Sequence, residues 1–225
     1  MYDAYAAANG LTFETVFGST DKAFEMTVLD TEWAFWQYSG ESACGAVPGA
    51  DATDEEIFEF IDSVAGFGFY ADEGITPYAP YYYQAATQLG WPQPKFRYLK
   101  GLLRHPNLYV ANSSLPEELR SRHDPWPMSD VDRWVREDAS QMLFVYGSDD
   151  PWGAEPFHPG GEDTHTYTAP GANHGADIEL LDPADRAAAT ATLLRWAGVS
   201  APATARSAQL AELDQRDPRT IRRPL

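Results

Sequence analysis

Leu143-Phe144-Val145-Tyr146-Gly147-Ser148-Asp149-Asp150-Pro151-Trp152, followed by Thr164-His165-Thr166-Tyr167-Thr168-Ala169-Pro170-Gly171-Ala172-Asn173-His174-Gly175, is the part of this 225-residue chain that decides the fold. Each half is an apolar or β-rich run of strand length that breaks into a loop rich in Gly, Pro, Asp or Asn. The spacing predicts strands over 142–146 and 164–168, and the Asp182-Pro183 pair then predicts a helix to Trp196 that closes at Gly198. Strand, loop, strand, loop, helix is the rhythm of an α/β sheet.

Upstream the punctuation changes. Residues 2–8 read as a helix stopped by Asn9-Gly10, and 23–38 as a long apolar helix with cap side chains offered by Ser19, Thr20 and Asp21. Thr53 and Glu56 make a capping box ahead of Ile57, Phe58, Ile61 and Val64 on one helical face. Residues 79–89 and 131–138 are further helices, and Leu108-Tyr109-Val110-Ala111-Asn112 is a short strand candidate. The chain therefore divides into a helical lobe over 1–104, an α/β part over 105–198, and a surface tail over 199–225 rich in Pro, Ala and Arg.

Composition narrows the function. With 34 Asp+Glu against 16 Lys+Arg the net charge is −18, which opposes binding to nucleic acid or an anionic membrane. An apolar content of 44% with 7 Trp, 12 Tyr and 11 Phe supplies a globular core. Cys44 is the single cysteine, which excludes an internal disulfide and a thiolate metal cage. The longest uncharged stretch, 74–94 apart from its prolines at 77, 80, 92 and 94, is unsuited to a membrane helix. No signal-peptide pattern opens the chain.

Reactive side chains of α/β enzymes sit on loops beyond the carboxyl ends of strands. A carboxylate after one strand and a histidine after the next, 24 residues on, is the order in which an α/β-hydrolase presents its acid and base. Asp150 would then hold the imidazole of His174, and His174 would carry the proton between nucleophile and leaving group. Taken alone, Asp-Asp-Pro is an ordinary turn or helix cap. His158, Asp163 and His165 could suggest a metal site, but their spacing favours solvated loop and strand residues, so no cofactor is expected. His105 and His123 read as surface residues, and Cys44 as a free loop thiol.

The run Leu143 to Phe157, the Gly171-Ala172-Asn173-His174 loop, the aromatic segment Phe24 to Tyr38 and Met128 to Val135 resemble the secreted bacterial prolyl tripeptidyl aminopeptidases, serine exopeptidases of α/β-hydrolase fold. The Asp-Pro-Trp and Gly-Ala-His pairing of the lysosomal prolyl carboxypeptidases is similar, and it selects Asp150, next to Pro151, over Asp149 as the acid. The resemblance implies an incomplete α/β-hydrolase, in which a helical cap lobe is followed by the last strands and helix of the core. It also implies an extracellular enzyme that takes peptides with a free N-terminus, and cap-domain acids that hold the ammonium group. Glu25 and Glu32, seven residues apart on one helix face with Trp36 a further turn along, suit that task, although two glutamates on a lobe helix also serve simply as solvated surface.

One element of the pattern is missing. The nucleophile elbow G-x-S-x-G does not occur in the chain: Ser148 follows Gly147 without the second glycine, and Ser19 enters a helix cap. Against the family's order, Met1 falls inside the cap, so the serine is expected from an amino-terminal half outside this sequence. A second reading is a non-catalytic remnant or interaction module that carries a relic Asp150–His174 pair.

Overall fold

A computed structural model describes residues 1–199, and the expected tail lies outside the described residues from position 200 onward. Residues Met1–Asp182 pack as one compact unit, and the stretch that begins at Pro183 belongs to a second.

Helix α1 (Tyr2–Asn9) ends as its sequence dictates, with Gly10 at φ 64° and the amides of Gly10 and Leu11 donating back into the last turn. Helix α2 (Thr20–Tyr38) begins three residues earlier than expected, because the Ser19 hydroxyl caps the Lys22 amide. In α3 (Asp54–Ala65) both halves of the Thr53–Glu56 capping box are formed. Its buried residues are Phe58 and Ala65, while Ile57 is 40% exposed, so the inward face is rotated from the one the apolar residues suggested.

The core of the helical part is a stack of rings. Phe67, fully buried, lies 4.9 Å from Phe13 in a stacked pair and 5.6 Å from Phe24 in an edge contact, and Tyr5 meets Phe58 at 5.1 Å. Each such pair adds about 0.5–1.5 kcal/mol to the burial itself. The loop before α2 is fastened by the Asp72 carboxylate at the start of the short α4 (Asp72–Ile75), which accepts the amides of Glu14, Thr15 and Val16. Those bonds hold the Asp72 carboxyl below its ordinary range despite the opposing desolvation, which is the largest single influence on it.

The expected helix over 79–89 is α5 (Ala79–Gln84) continued by a π-helical turn (Ala85–Leu89). The expected strand at 108–112 is not one. Its amides bond locally, Leu108 to the His105 carbonyl and Val110 to that of Leu108, and Ala111–Ser114 is a 3-10 turn. Leu108 and Tyr109 are nevertheless buried, Tyr109 with its hydroxyl on Asp30 of α2. An apolar run reports burial, and burial here is met by packing against a helix without any strand partner.

Helix α6 (Trp126–Glu137) starts five residues before the apolar pattern, opened by Pro127 in its first turn. Strands β1 (Leu143–Gly147) and β2 (His165–Ala169) then pair in parallel with Leu143 opposite His165 and Gly147 opposite Ala169. Helix α7 (Pro183–Trp196), in the second unit, carries the Arg195 guanidinium 5.9 Å from the Trp196 ring centre and terminates at Gly198 with φ 65°. Among the described residues no helix is long and apolar enough to cross a membrane.

Candidate active site

Because Gly147 and Ala169 are paired residues at the ends of two parallel strands, the loops that leave them start at the same level. They are stitched at once: Ser148 donates its amide to the Ala169 carbonyl (3.1 Å) and Asp149 donates to Ala172 (2.9 Å). Gly147 is what permits the approach. A Cβ there would collide with the carbonyl oxygens of Ala172 and Asn173, so any side chain would push the second loop off the first.

On this platform Asp150 does two things. One carboxylate oxygen accepts the Trp152 amide at 3.0 Å and caps the 3-10 turn Pro151–Ala154, and the other lies 2.8 Å from Nδ1 of His174. The turn-capping role and the pairing role are thus both real. Asp149 is occupied by the Ser148 hydroxyl, which also accepts the Gly171 amide at 2.8 Å. The side chain of Asp150 is 12% exposed and that of His174 45%, so the carboxylate is covered and the imidazole is open. An ionised carboxylate only accepts, which places the proton of a neutral imidazole on Nδ1 and leaves the Nε2 lone pair free. The Asp150 hydrogen bond, followed by its charge, raises the His174 pKa against an opposing desolvation.

Helix α2 frames the imidazole from the other side. The His174 amide donates to the Gln37 carbonyl at 3.1 Å, the Tyr38 ring stands edge-on at 6.5 Å, and the Trp152 ring lies 6.4 Å away. Trp36, 37% exposed, lines a cleft of about 690 Å³ with Tyr146, Asp150, Pro151 and His158, and His174 is not part of that lining.

The two glutamates are placed differently. Glu25 accepts the amides of Arg104 and His105 at 2.7 and 2.8 Å, and Glu32 accepts the Tyr98 hydroxyl. Both therefore fasten residues 98–105 to α2, beside Asp21, which pairs with Arg104 and His105. The Tyr2 hydroxyl and then His105 hold the Asp21 carboxyl down to about 2. Glu25 also lies twelve residues before Gln37, roughly 18 Å along the helix. Neither glutamate is hydrogen-bonded to His174, and each carboxylate already accepts donors from the segment between Tyr98 and His105.

His165 pairs with Asp163 at 3.2 Å, His123 is exposed, and Cys44 is exposed. Among the described residues no group of three or more His, Cys, Asp and Glu could hold a metal ion. Sequence reasoning did not single out Gln37, whose contribution is a main-chain carbonyl, or Trp91, which reaches Trp152 only through the fold.

A family model, PS-10 peptidase S37, matches residues 1–223. The chain belongs to the S37 peptidase family. It is 47% identical over 215 residues to the prolyl tri/tetrapeptidyl aminopeptidase of Streptomyces mobaraensis. That match covers 94% of this chain and 45% of the relative, so the chain spans about half the length of the curated relative it matches. No solved structure matches the chain significantly.

Proposed function

We propose that His174 and Asp150 are the base and acid of a secreted serine-type exopeptidase that releases short, proline-containing peptides from free N-termini. The observation that carries this reading is the 2.8 Å pairing of Nδ1 with a covered carboxylate, beside an open Nε2. In the reaction a serine hydroxyl, supplied by polypeptide outside this sequence, gives its proton to Nε2 as its oxygen attacks the scissile carbonyl. Asp150 stabilises the imidazolium so formed, and His174 returns the proton to the departing amine. Membership of a peptidase family and the name of the Streptomyces relative support the substrate class.

The test is reconstitution of the chain with the amino-terminal half of an S37 peptidase, assayed on a chromogenic Ala-Ala-Pro amide. The chain alone should leave this substrate untouched, because an acid and base without nucleophile and oxyanion donors form no acyl-enzyme. In the reconstituted enzyme Asp150→Asn should lower kcat by about 10³–10⁴. A folded complex whose hydrolysis is indifferent to Asp150 and His174 would reduce the pair to a relic, and the chain to a binding module.

A further inference from the structure

Charge is unevenly distributed along the chain. There are 34 Asp+Glu against 16 Lys+Arg, yet no acidic residue occurs from Gly74 to Pro116, and Lys95, Arg97, Lys100 and Arg104 fall close together inside that stretch. Residues 90–94, just before them, line a cavity of about 670 Å³ whose walls include Trp33, Trp91 and Trp152. From there residues 95–105 run as a strap over α2.

The strap is fastened from beneath. A 3-10 turn (Arg97–Leu99) leads into Gly101 at φ 86°, and amides of Leu99, Lys100 and Leu102 donate to the carbonyls of Phe96, Arg97 and Leu99. Glu32 accepts the Tyr98 hydroxyl, Glu25 the amides of Arg104 and His105, and Asp21 pairs with the side chains of those two residues. The carboxylates of α2 are thus engaged at the two ends of the strap. The middle is turned outward. Lys95, Arg97 and Lys100 are exposed, and among the described residues none of them is in an ion pair. Tyr98 and Leu102 beside them are 64% and 73% exposed. By contrast Arg133 and Arg136, exposed on α6, each pair with an aspartate.

We propose that the strap over 95–102 docks an acidic segment of another polypeptide, with carboxylates against Lys95, Arg97 and Lys100 and an apolar side chain against Tyr98 and Leu102. Charge complementarity selects this partner. At physiological ionic strength the screening length is about 8 Å, so a short segment feels the three open cations more than the −18 of the whole chain. A nucleic acid, stiff and longer than the strap, extends onto the acidic remainder, meets net repulsion there and brings no apolar side chain for Leu102. The turn bonds and the Tyr98–Glu32 bond set the strap before a partner arrives, so docking orders little backbone. The surface does not involve His174 or Asp150, and its role is independent of the peptidase reading.

The probe is acetyl-Glu-Glu-Leu-Phe-Glu-Glu-amide, titrated into the ¹⁵N-labelled chain at about 0.15 M salt, with acetyl-Gln-Gln-Leu-Phe-Gln-Gln-amide as its neutral counterpart. Acetylation removes the free N-terminus that an exopeptidase cleft would take. Amide shifts should centre on 95–105, and calorimetry should show the acidic peptide bound at least about tenfold tighter than the neutral one, since each exposed ion pair contributes about two- to fivefold. Lys95→Gln, Arg97→Gln and Lys100→Gln should each weaken the acidic peptide by that factor and leave the neutral one unchanged, whereas Leu102→Ser should weaken both. Raising salt to about 0.5 M should weaken only the acidic peptide. All four positions are at the surface, and an unchanged Tm shows that each variant folds. His174→Asn should leave every titration as it is.

Equal affinity for the two peptides, shifts centred outside 95–105, or a triple glutamine variant that binds like the parent would each overturn the proposal. A twelve-nucleotide DNA that binds as tightly as the acidic peptide would overturn the assignment to a polypeptide. A salt-sensitive dimer in sedimentation velocity, abolished by Lys100→Glu, would give the surface to a second copy of the chain and overturn it as well.

Discussion

Replacing Gly147 with alanine tests the platform on which the candidate site stands. The added methyl meets two main-chain carbonyls, of Ala172 and Asn173, and neither can rotate away as a side chain would. Relief comes only by displacing the second loop, which stretches the 2.9 Å bond from the Asp149 amide to Ala172 and draws His174 from Asp150. Overpacking of this kind costs about 1–3 kcal/mol, and the lost main-chain bond about 1 kcal/mol more. The sum, about 2–4 kcal/mol, corresponds to a fall in Tm of roughly 4–16 °C for a chain of this size. Thermal unfolding followed by circular dichroism measures the first effect, and the NMR titration of the His174 ring protons the second. The imidazole should lose its upward shift as Asp150 recedes. A variant within about 1 °C of the parent, with the His174 titration unmoved, would refute the close approach and the reason given for glycine at this position.

Other expectations follow from the same contacts. Asp150→Asn should lower the His174 pKa, read by the same NMR titration, because the charge-assisted hydrogen bond to Asp150 and its negative charge, which raise it, are lost while desolvation remains. Since the folded pKa is raised, the pair's contribution to stability is complete below the ordinary histidine value and disappears as pH rises through the folded one; denaturant midpoints of the parent and Asp150→Asn should converge over that window. In a reconstituted enzyme kcat/KM should rise with pH through the raised pKa, and a limb at or below the free-histidine value would count against His174 as the base. Asp21, held down to about 2, stabilises the fold above the unfolded carboxylate range, and this support should vanish between about pH 4 and pH 2 in the parent but not in Asp21→Asn. Thr53→Ala removes the capping box of α3 and should cost about 1 kcal/mol by denaturant titration; no change would mean that the helix start is held by packing alone.

The elements that the sequence made legible are those with local causes. Caps at Ser19, Thr53 and Gly10 act within a few residues, so the helices they bound were readable, although packing moved their edges. Asp150 and His174 were readable because strand patterns place loops, and loops place reactive groups. The surroundings of Glu25 and Glu32 were not legible because helical spacing gives a face and says nothing of what covers it; here the cover is the segment from Tyr98 to His105. The strand expected at 108–112 failed for the same reason, since Asp30, 79 residues away from Tyr109, decides where that ring goes. The tryptophan cavity depends on residues from positions 33, 91 and 152, and no window of sequence holds them together.

The bond from the His174 amide to the Gln37 carbonyl also sets an order of events during folding. It closes a loop of 174 − 37 = 137 residues, whereas β1 and β2 pair at an offset of 165 − 143 = 22. By the logarithmic law of loop closure, the longer link is disfavoured by about 1.6 kcal/mol of chain entropy relative to the shorter. The sheet, and with it the encounter of Asp150 with His174, is the smaller step, and seating of the imidazole beneath α2 is the later one. A refolding chain thus brings Asp150 and His174 together before it seats the imidazole against α2, and the surroundings of the pair are completed by the last docking event rather than by the first strand.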